Sequence, residues 1–269
     1  MAHGAMMTAD VLARVGRWLQ DAGRVVYLCG AGLSVPSGVR AYRSGPNAVW
    51  GEYVLEWGTR SKFLEDPAAW WKTFWLGAHA EVLRTDIRPN AGHAALVALS
   101  KRDRRDVVIT QNIDGLHRVA GHPEEQLIEI HGRHDRFVCA SDSGCAGVDE
   151  AVSSVDLSRV AEGVVPKCRH CGAPMRPNVL LFDEYYDGHP AYQAFRARCA
   201  LDDADVIVFV GTSFSVGITS SAIRSAQVSG ARIVNVNLEP APFPGVTELS
   251  GGAEVVLPQL ARAVLGATG

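Results

Sequence analysis

Five short apolar runs rich in β-branched residues recur along this chain, and every one of them breaks off into a small or polar cluster. The runs are residues 25–29, 107–109, 127–130, 206–210 and 233–236. The clusters that end them are Gly30-Ala31-Gly32, Thr110-Gln111-Asn112-Ile113-Asp114, His131-Gly132, Gly211-Thr212-Ser213 and Asn237-Leu238-Glu239. Apolar runs without alternation suit strands buried on both faces. Helical patterns at 91–100, 218–228 and 258–265 lie between or after them, so the alternation is that of a doubly wound α/β fold. Ahead of the first strand, Thr8 can cap a helix whose apolar positions Val11, Leu12, Val15, Trp18 and Leu19 follow helical spacing, with Gly23 at its end. In an open parallel sheet ligands bind beyond the carboxyl ends of the strands, so the five clusters are expected to line one site.

Two segments interrupt the rhythm. Residues 46–88 hold five of the six tryptophans, Trp50, Trp57, Trp70, Trp71 and Trp75, on helical patterns. Residues 136–178 hold four cysteines, Cys139, Cys145, Cys168 and Cys171. The pair Cys168-Arg-His-Cys171 has the two-residue gap that brings both sulfurs to one tetrahedral ion, and Gly172 can close the turn. The first pair is looser, with five residues between its cysteines. One structural zinc is expected; free thiols or a disulfide are the alternatives, and His134, Asp142 and His170 are substitute ligands. The two insertions are expected to form one smaller domain.

A chain of 269 residues can bury a large core as one domain or two. Its formal charge of -3 predicts no broad attraction to nucleic acid or acidic membranes. No apolar stretch approaches the roughly 20 residues a membrane span needs, and no secretory signal pattern opens the chain, so a cytoplasmic protein is expected. Cys29 and Cys199, in apolar or helical surroundings, read as buried thiols in a reducing compartment.

The segment from Gly30 to Gly38 follows a strand directly, where glycines allow a tight turn and let backbone N–H groups approach a pyrophosphate. Val35 stands where the usual dinucleotide fingerprint has its third glycine, and close packing alone explains such glycines about as often. Arg43 can pair with phosphate, with a solvent-facing ion pair as its other reading. Asn237 and Glu239 can hydrogen-bond a ribose or cap the next turn.

Gly30-Ala-Gly32 with Ser34, then Ser37-Gly38, Thr110-Gln-Asn-Ile-Asp-Gly-Leu-His117, His131-Gly132, the cysteine quartet, Arg176-Pro-Asn-Val-Leu-Leu-Phe182, Gly211-Thr-Ser213 and Asn237-Leu-Glu-Pro240, in that order, resemble the sirtuin family of NAD-dependent protein lysine deacylases, in a bacterial-like form. The resemblance implies a Rossmann-like NAD-binding domain from residues 8–45, 89–135 and 179–269. A helical module at 46–88 and a zinc-binding module at 136–178 would form the small domain, with acyl-lysine protein or peptide entering between the two. By position, Gly30, Ala31, Gly32, Ser34 and Arg43 would hold the phosphate side of NAD, and Gln111, Asn112 and Asp114 would lie beside the nicotinamide ribose. Gly211, Thr212 and Ser213 would hold phosphate and ribose, Asn237 with Glu239 the adenosine ribose, and Ala253 would sit near the adenine. Val179, Phe182 and Val216 would border the peptide. His131 would be the general base, assisted by Asn112 and Asp114, because a neutral imidazole is available near pH 7. The acyl group would pass to ADP-ribose as nicotinamide leaves. His93, His117 and His122 read as structural.

The chain departs from the family pattern in three places. Val39-Arg40-Ala41-Tyr42 replaces Ile-Pro-Asp-Phe, Asp183 replaces the glycine of a Phe-Gly-Glu turn beside the peptide groove, and Gly217-Ile218 replaces an aromatic-proline ending. Asp183 is expected to disturb backbone pairing there. The stretch Trp75-Leu-Gly-Ala78 lacks the tyrosine and arginine that recognise succinyl or malonyl groups, which favours acetyl or a longer apolar chain. Trp71 and Trp75 read as core of the helical module ahead of an acyl pocket. An NAD glycohydrolase or mono-ADP-ribosyltransferase, or a non-catalytic NAD- or ADP-ribose-binding module, are the rival functions. Ala41→Asp is expected to change the KM for NAD or the turnover in steady-state assays; identical values of both would show that the altered loop does not weaken or reorient cofactor binding.

Overall fold

The computed structural model describes residues 9–40, 52–80, 83–141, 144–148, 151–152 and 154–266. Six strands form one parallel sheet: β1 Val25–Cys29, β2 Val107–Thr110, β3 Leu127–Glu129, β6 Val206–Val210, β7 Arg232–Asn237 and β8 Val246–Ser250, in the order β3-β2-β1-β6-β7-β8. The five apolar runs are therefore strands, and β1, β2, β3 and β6 are buried at every position. The order runs outward in both directions from the β1–β6 pair, which makes their carboxyl ends the switch point at which such sheets bind ligands.

Helices cover both faces. Ala9–Asp21, Ala91–Leu99 and Ala253–Leu265 pack on one, burying Leu19, Leu96 and Leu257 against Tyr27, Val208 and Val234. Ala194–Asp202 and Gly217–Ser229 cover the other with a small-residue surface, Ala197, Ala200, Ala222 and Ala226, that lets them lie close to Leu28 and Phe209. The closing helix begins five residues before Pro258. That proline sits within the helix, where burial of Val256, Leu257 and Leu260 outweighs its missing N–H. The edge strand β8 escapes the apolar pattern because only Leu249 of its five residues is buried.

A second sheet pairs β4, Gly132–Cys139, with β5, Met175–Val179, antiparallel. Polar residues hide β5: Arg176 is buried because its guanidinium pairs with Glu184 and donates to the Val179 carbonyl at 2.9 Å. A two-stranded sheet has only edges, so Pro177 is tolerated in it. This two-stranded sheet packs on the tryptophan-rich segment. Helices Glu52–Trp57, Arg60–Glu65 and Pro67–Ala69 lead into a π-helix, Trp70–Ala78, which buries Trp70, Trp71, Phe74 and Trp75. That pairing of adjacent buried positions four apart matches the wider π turn. Trp70 stacks on Trp75 with ring centroids 6.0 Å apart, and Trp71 donates its indole N–H to the Met175 carbonyl at 2.9 Å. Trp71 and Trp75 are thus core residues of a cluster that also contains Phe137, Cys139, Cys168 and Met175. Trp50 lies outside the described residues. No helix among the described residues is long and apolar enough to cross a membrane. Because Trp70 is fully buried at the centre of this cluster, Trp70→Ala should cost about 3–5 kcal/mol, read as a lowered denaturant midpoint.

Candidate active site at the switch point

The strand-end clusters are brought together by backbone crossing. Gly30 N–H donates to the Val210 carbonyl and Gly32 N–H to the Gly211 carbonyl, both at 2.9 Å. A Cβ at Gly32 would lie 2.8 Å from the Gly211 Cα, and one at Gly211, where φ is +57°, would lie 2.6 Å from Leu33 N. The glycines are demanded first by this contact between the β1 and β6 loops. Among the described residues, the amides of Ala31, Thr212 and Ser213 donate to no backbone carbonyl. They are donors of the kind a pyrophosphate accepts at such a loop, so the strand ends fit the phosphates of a dinucleotide.

Behind this loop lies a closed polar network. Ser34 Oγ donates to Asp114 Oδ2 at 2.6 Å, and Asn112 Nδ2 donates to the Gly30 carbonyl at 3.0 Å and Ser34 Oγ at 3.1 Å. Asp114 Oδ1 accepts from Leu116 N–H at 2.9 Å. All three side chains are buried, so their mutual bonds fix the Gln111–Asp114 turn in one conformation. Gln111 reaches across the switch point to Thr212 Oγ1 at 3.3 Å, and Asn237 Nδ2 donates to the Thr212 carbonyl at 2.8 Å. Ala253 opens the closing helix beside the 3₁₀ turn Ala31–Leu33, with Gly92 between: a Cβ there would touch both Leu33 and the Ala253 carbonyl.

His131 follows β3. Its Nδ1 lies 2.9 Å from the Gln111 carbonyl, which can only accept, so Nδ1 carries the proton and Nε2 of the neutral ring is the acceptor. Nε2 points to Tyr186 Oη at 3.4 Å. The next residue is tied into the two-stranded sheet: at Gly132, φ is +77° and a Cβ would lie 2.0 Å from the Asn178 carbonyl oxygen. Three other histidines pack together behind the site. Burial pushes His93 down to about 4 against the pull of Asp114, pushes His122 to about 4, and holds His117 well below its ordinary value. They are neutral packing groups. His134 turns Nδ1 to the Ile113 carbonyl at 2.6 Å. Cys29, under the loop, is buried and kept a thiol by burial and the nearby Asp114 charge, whereas Cys199 is exposed on the Ala194–Asp202 helix, contrary to expectation.

Other positions fall at the margins. Ser213 is exposed. The exposed Glu239 joins through its backbone carbonyl, which accepts from Asn235 Nδ2 at 3.1 Å, while the carboxylate on Asn235 comes from Glu248, at 2.7 Å. Glu248 lies on the unforeseen strand β8 and carried no sequence signal. Val179 is buried at the end of β5, Phe182 is exposed beside Gly58, and Val216 precedes the Gly217–Ser229 helix. None of these three joins the network directly. Asp183 does not disturb its turn. Its carboxylate accepts from Arg60 N–H at 2.6 Å and Ser61 N–H at 3.0 Å, capping a helix of the tryptophan-rich segment. Burial raises this carboxyl, but those N–H donors outweigh it and hold the group below its ordinary range. Arg43, Ala41, Tyr42 and Asp142 lie outside the described residues.

The four cysteines meet at one point. The Sγ atoms of Cys139, Cys145, Cys168 and Cys171 all lie within 4.8 Å of one another, with Cys139–Cys171 at 3.5 Å and Cys145–Cys168 at 3.7 Å. Tetrahedral zinc with Zn–S bonds of about 2.3 Å needs S–S edges of about 3.8 Å, so the set fits the ion. The His170 N–H, 3.4 Å from Cys168 Sγ, lowers that thiol to about 6, whereas burial pushes the Cys139 thiol up to about 12, so thiolate character is concentrated on Cys168. Gly147, two residues past Cys145, lies against the cluster: a Cβ there would be 2.6 Å from Cys168 Sγ. Neither His134 nor His170 belongs to the cluster.

A parallel sheet with this switch point, a histidine at the end of β3 and a four-thiol insert define the class of nucleotide-binding enzyme with a zinc-stapled module. The Sir2 family model matches residues 30–217, and the chain belongs to the Sir2 family. It is 36% identical over 255 residues to the NAD-dependent deacetylase sir2E of Dictyostelium discoideum, covering 90% of this chain and 74% of that one. It is 36% identical over 264 residues to NAD-dependent protein deacylase 2 of Pyrobaculum aerophilum, covering 96% and 95%. Among solved structures, a Sir2 homolog–NAD complex superposes with a TM-score of 0.76 at 27% identity, covering 98% of this chain and 96% of that one. Sir2Af2 bound to a myristoylated histone peptide superposes with a TM-score of 0.65 at 25% identity, covering 96% and 97%. Cys171→Ser should leave the purified protein with well under one zinc per chain by elemental analysis, against one for wild type, and should lower its melting temperature.

Proposed function

We infer that the protein is an NAD-dependent protein lysine deacylase, with acetyl-lysine as its primary substrate. The observation that carries this reading is the His131 ring at the end of β3, anchored through Nδ1 by the Gln111 carbonyl so that in the neutral ring Nε2 is the basic nitrogen. Bound NAD supplies an electrophilic ribose carbon with nicotinamide as its leaving group.

The chain's own residues would do the rest. The amides of Ala31, Thr212 and Ser213, with Arg43, hold the pyrophosphate, and Asn237 takes the adenosine ribose. Asn112 and Asp114, locked together through Ser34, keep the nicotinamide ribose and the acyl oxygen aligned and give up no conformational entropy when ligand arrives. His131 Nε2 would then accept the proton of a ribose hydroxyl, which would make that oxygen a nucleophile toward the acyl carbon. With one water consumed, which supplies one oxygen and the proton taken by the leaving amine, the products would be nicotinamide, the deacylated lysine and acyl-ADP-ribose. Zinc takes no part: four thiolates fill its coordination sphere, and its role is to hold β4 and β5 to the tryptophan-rich segment.

Within this reading residues 8–45, 89–135 and 179–269 form the NAD-binding domain, and residues 46–88 and 136–178 the small domain. Val179, Phe182 and Val216 flank a peptide that adds as a strand, so sequence preference is weak. The net charge of -3 gives no field that would gather nucleic acid, and a cysteine set read as four zinc ligands and two thiols suits the reducing cytoplasm.

Incubation with NAD, with and without an acetyl-lysine peptide, followed by mass spectrometry tests the assignment. Nicotinamide and acetyl-ADP-ribose should appear only with peptide present; nicotinamide without peptide would identify a glycohydrolase, and ADP-ribosylated protein a transferase. His131→Ala should reduce deacylation by at least 10²-fold, the usual scale of a lost general base, while NAD still binds.

A further inference from the structure

Tyr186 sits where His131 and the neighbouring loop meet. Its ring lies nearly parallel to the His131 imidazole, with centroids 5.8 Å apart and 15° between planes, and its hydroxyl is 3.4 Å from Nε2. The same oxygen accepts the Ile218 N–H at 3.2 Å. Donor and acceptor roles follow from these contacts. Nδ1 donates to Gln111, so Nε2 accepts, and the phenol O–H is the donor to it, while Ile218 fills the phenol's acceptor side. Burial raises the phenol above its ordinary value, so it keeps this proton throughout the neutral range.

The contact is built from local sequence. Gly217 leaves room for the ring: a Cβ there would already lie 3.3 Å from Tyr186 Cε2, and an aromatic side chain would displace it. Ile218 supplies an N–H that proline at that position would lack. Among the described residues, three ionisable groups on adjoining elements have other partners. Asp114 is bonded to Ser34 and Leu116, His134 to Ile113, and Arg133 to Asp135 at 2.6 Å.

We propose that Tyr186 is a positioning residue for His131. Its hydroxyl joins Nε2 to residues 216–218, the proposed peptide wall, and holds the imidazole in its neutral, Nδ1-protonated form until a substrate hydroxyl takes its place at Nε2. The inference rests on His131 being the base. A donor to the neutral ring favours that form, so removing the donor raises the ring's pKa.

The test uses Tyr186→Phe, which keeps the ring stack and deletes only the hydroxyl, and Ile218→Pro, which deletes the N–H in the first turn of a helix, where proline is tolerated. Without NAD, the His131 C2–H resonance should titrate about half to one pH unit higher in Tyr186→Phe than in wild type, and in the same direction but less in Ile218→Pro. With substrates, the acidic limb of the kcat/KM–pH profile of Tyr186→Phe should move up by the same half to one pH unit, so that kcat/KM on that limb falls about 3- to 10-fold. A wild-type titration and a wild-type kcat/KM–pH profile in Tyr186→Phe would overturn the role of Tyr186. If His131→Ala retains deacylation, the base assignment itself fails; if it is inactive while Tyr186→Phe behaves as wild type, only this inference fails.

Discussion

The structure depends on the approach of two backbones at the β1–β6 pair. Gly32 and Gly211 lie so close that a Cβ on either would collide with main-chain atoms of the other loop. Main chain cannot give way as a flexible side chain can, so glycine is required on both sides. This contact brings the loops after β1 and β6 together at the point where strand order reverses, the position at which an open parallel sheet leaves a crevice for ligand. It also leaves the Ala31, Thr212 and Ser213 amides without backbone acceptors among the described residues. Packing and phosphate binding are therefore one requirement in this loop, and the two readings of its glycines do not compete.

Rigidity is carried further by the Ser34, Asn112 and Asp114 network. Each side chain bonds to another member, and Asn112 and Asp114 also bond to backbone, so the loops after β1 and β2 hold each other. A buried carboxylate is costly unless its oxygens are satisfied, and here each oxygen has a donor. His131 is fixed by the same turn through the Gln111 carbonyl, so the orientation of the base is inherited from the backbone of the Gln111–Asp114 segment.

The sheet was legible because its information is one-dimensional: strands buried on both faces are apolar at every position, and their ends are punctuated by glycine and polar residues. The β1, β2, β3 and β6 runs carry that signal, and β7 carries it in its buried centre. β8 and β5 do not. β8 buries a single residue, and β5 buries Arg176 and Asn178, whose burial depends on partners such as Glu184 that no periodicity predicts. The zinc-ligand set was readable from Cys168-Arg-His-Cys171, but the looser pair needed the fold of the two-stranded sheet to bring Cys139 to Cys171. Cys199 was misplaced because helical surroundings do not say which face a residue occupies.

Departures from the family pattern mislead when they are read singly. Asp183 in place of glycine looks like damage to a turn, yet its carboxylate accepts from the Arg60 and Ser61 N–H groups at the start of the Arg60–Glu65 helix, where an anion is favoured, and so links the chain after β5 to the tryptophan-rich segment. Gly217-Ile218 looks like the loss of a rigid ending, yet the space and the N–H that it introduces are both used by Tyr186. In each case a substitution in one loop is answered by a group distant in sequence or on another loop. The physical unit of change is then the contact and not the residue, and a sequence read position by position sees only one half of it.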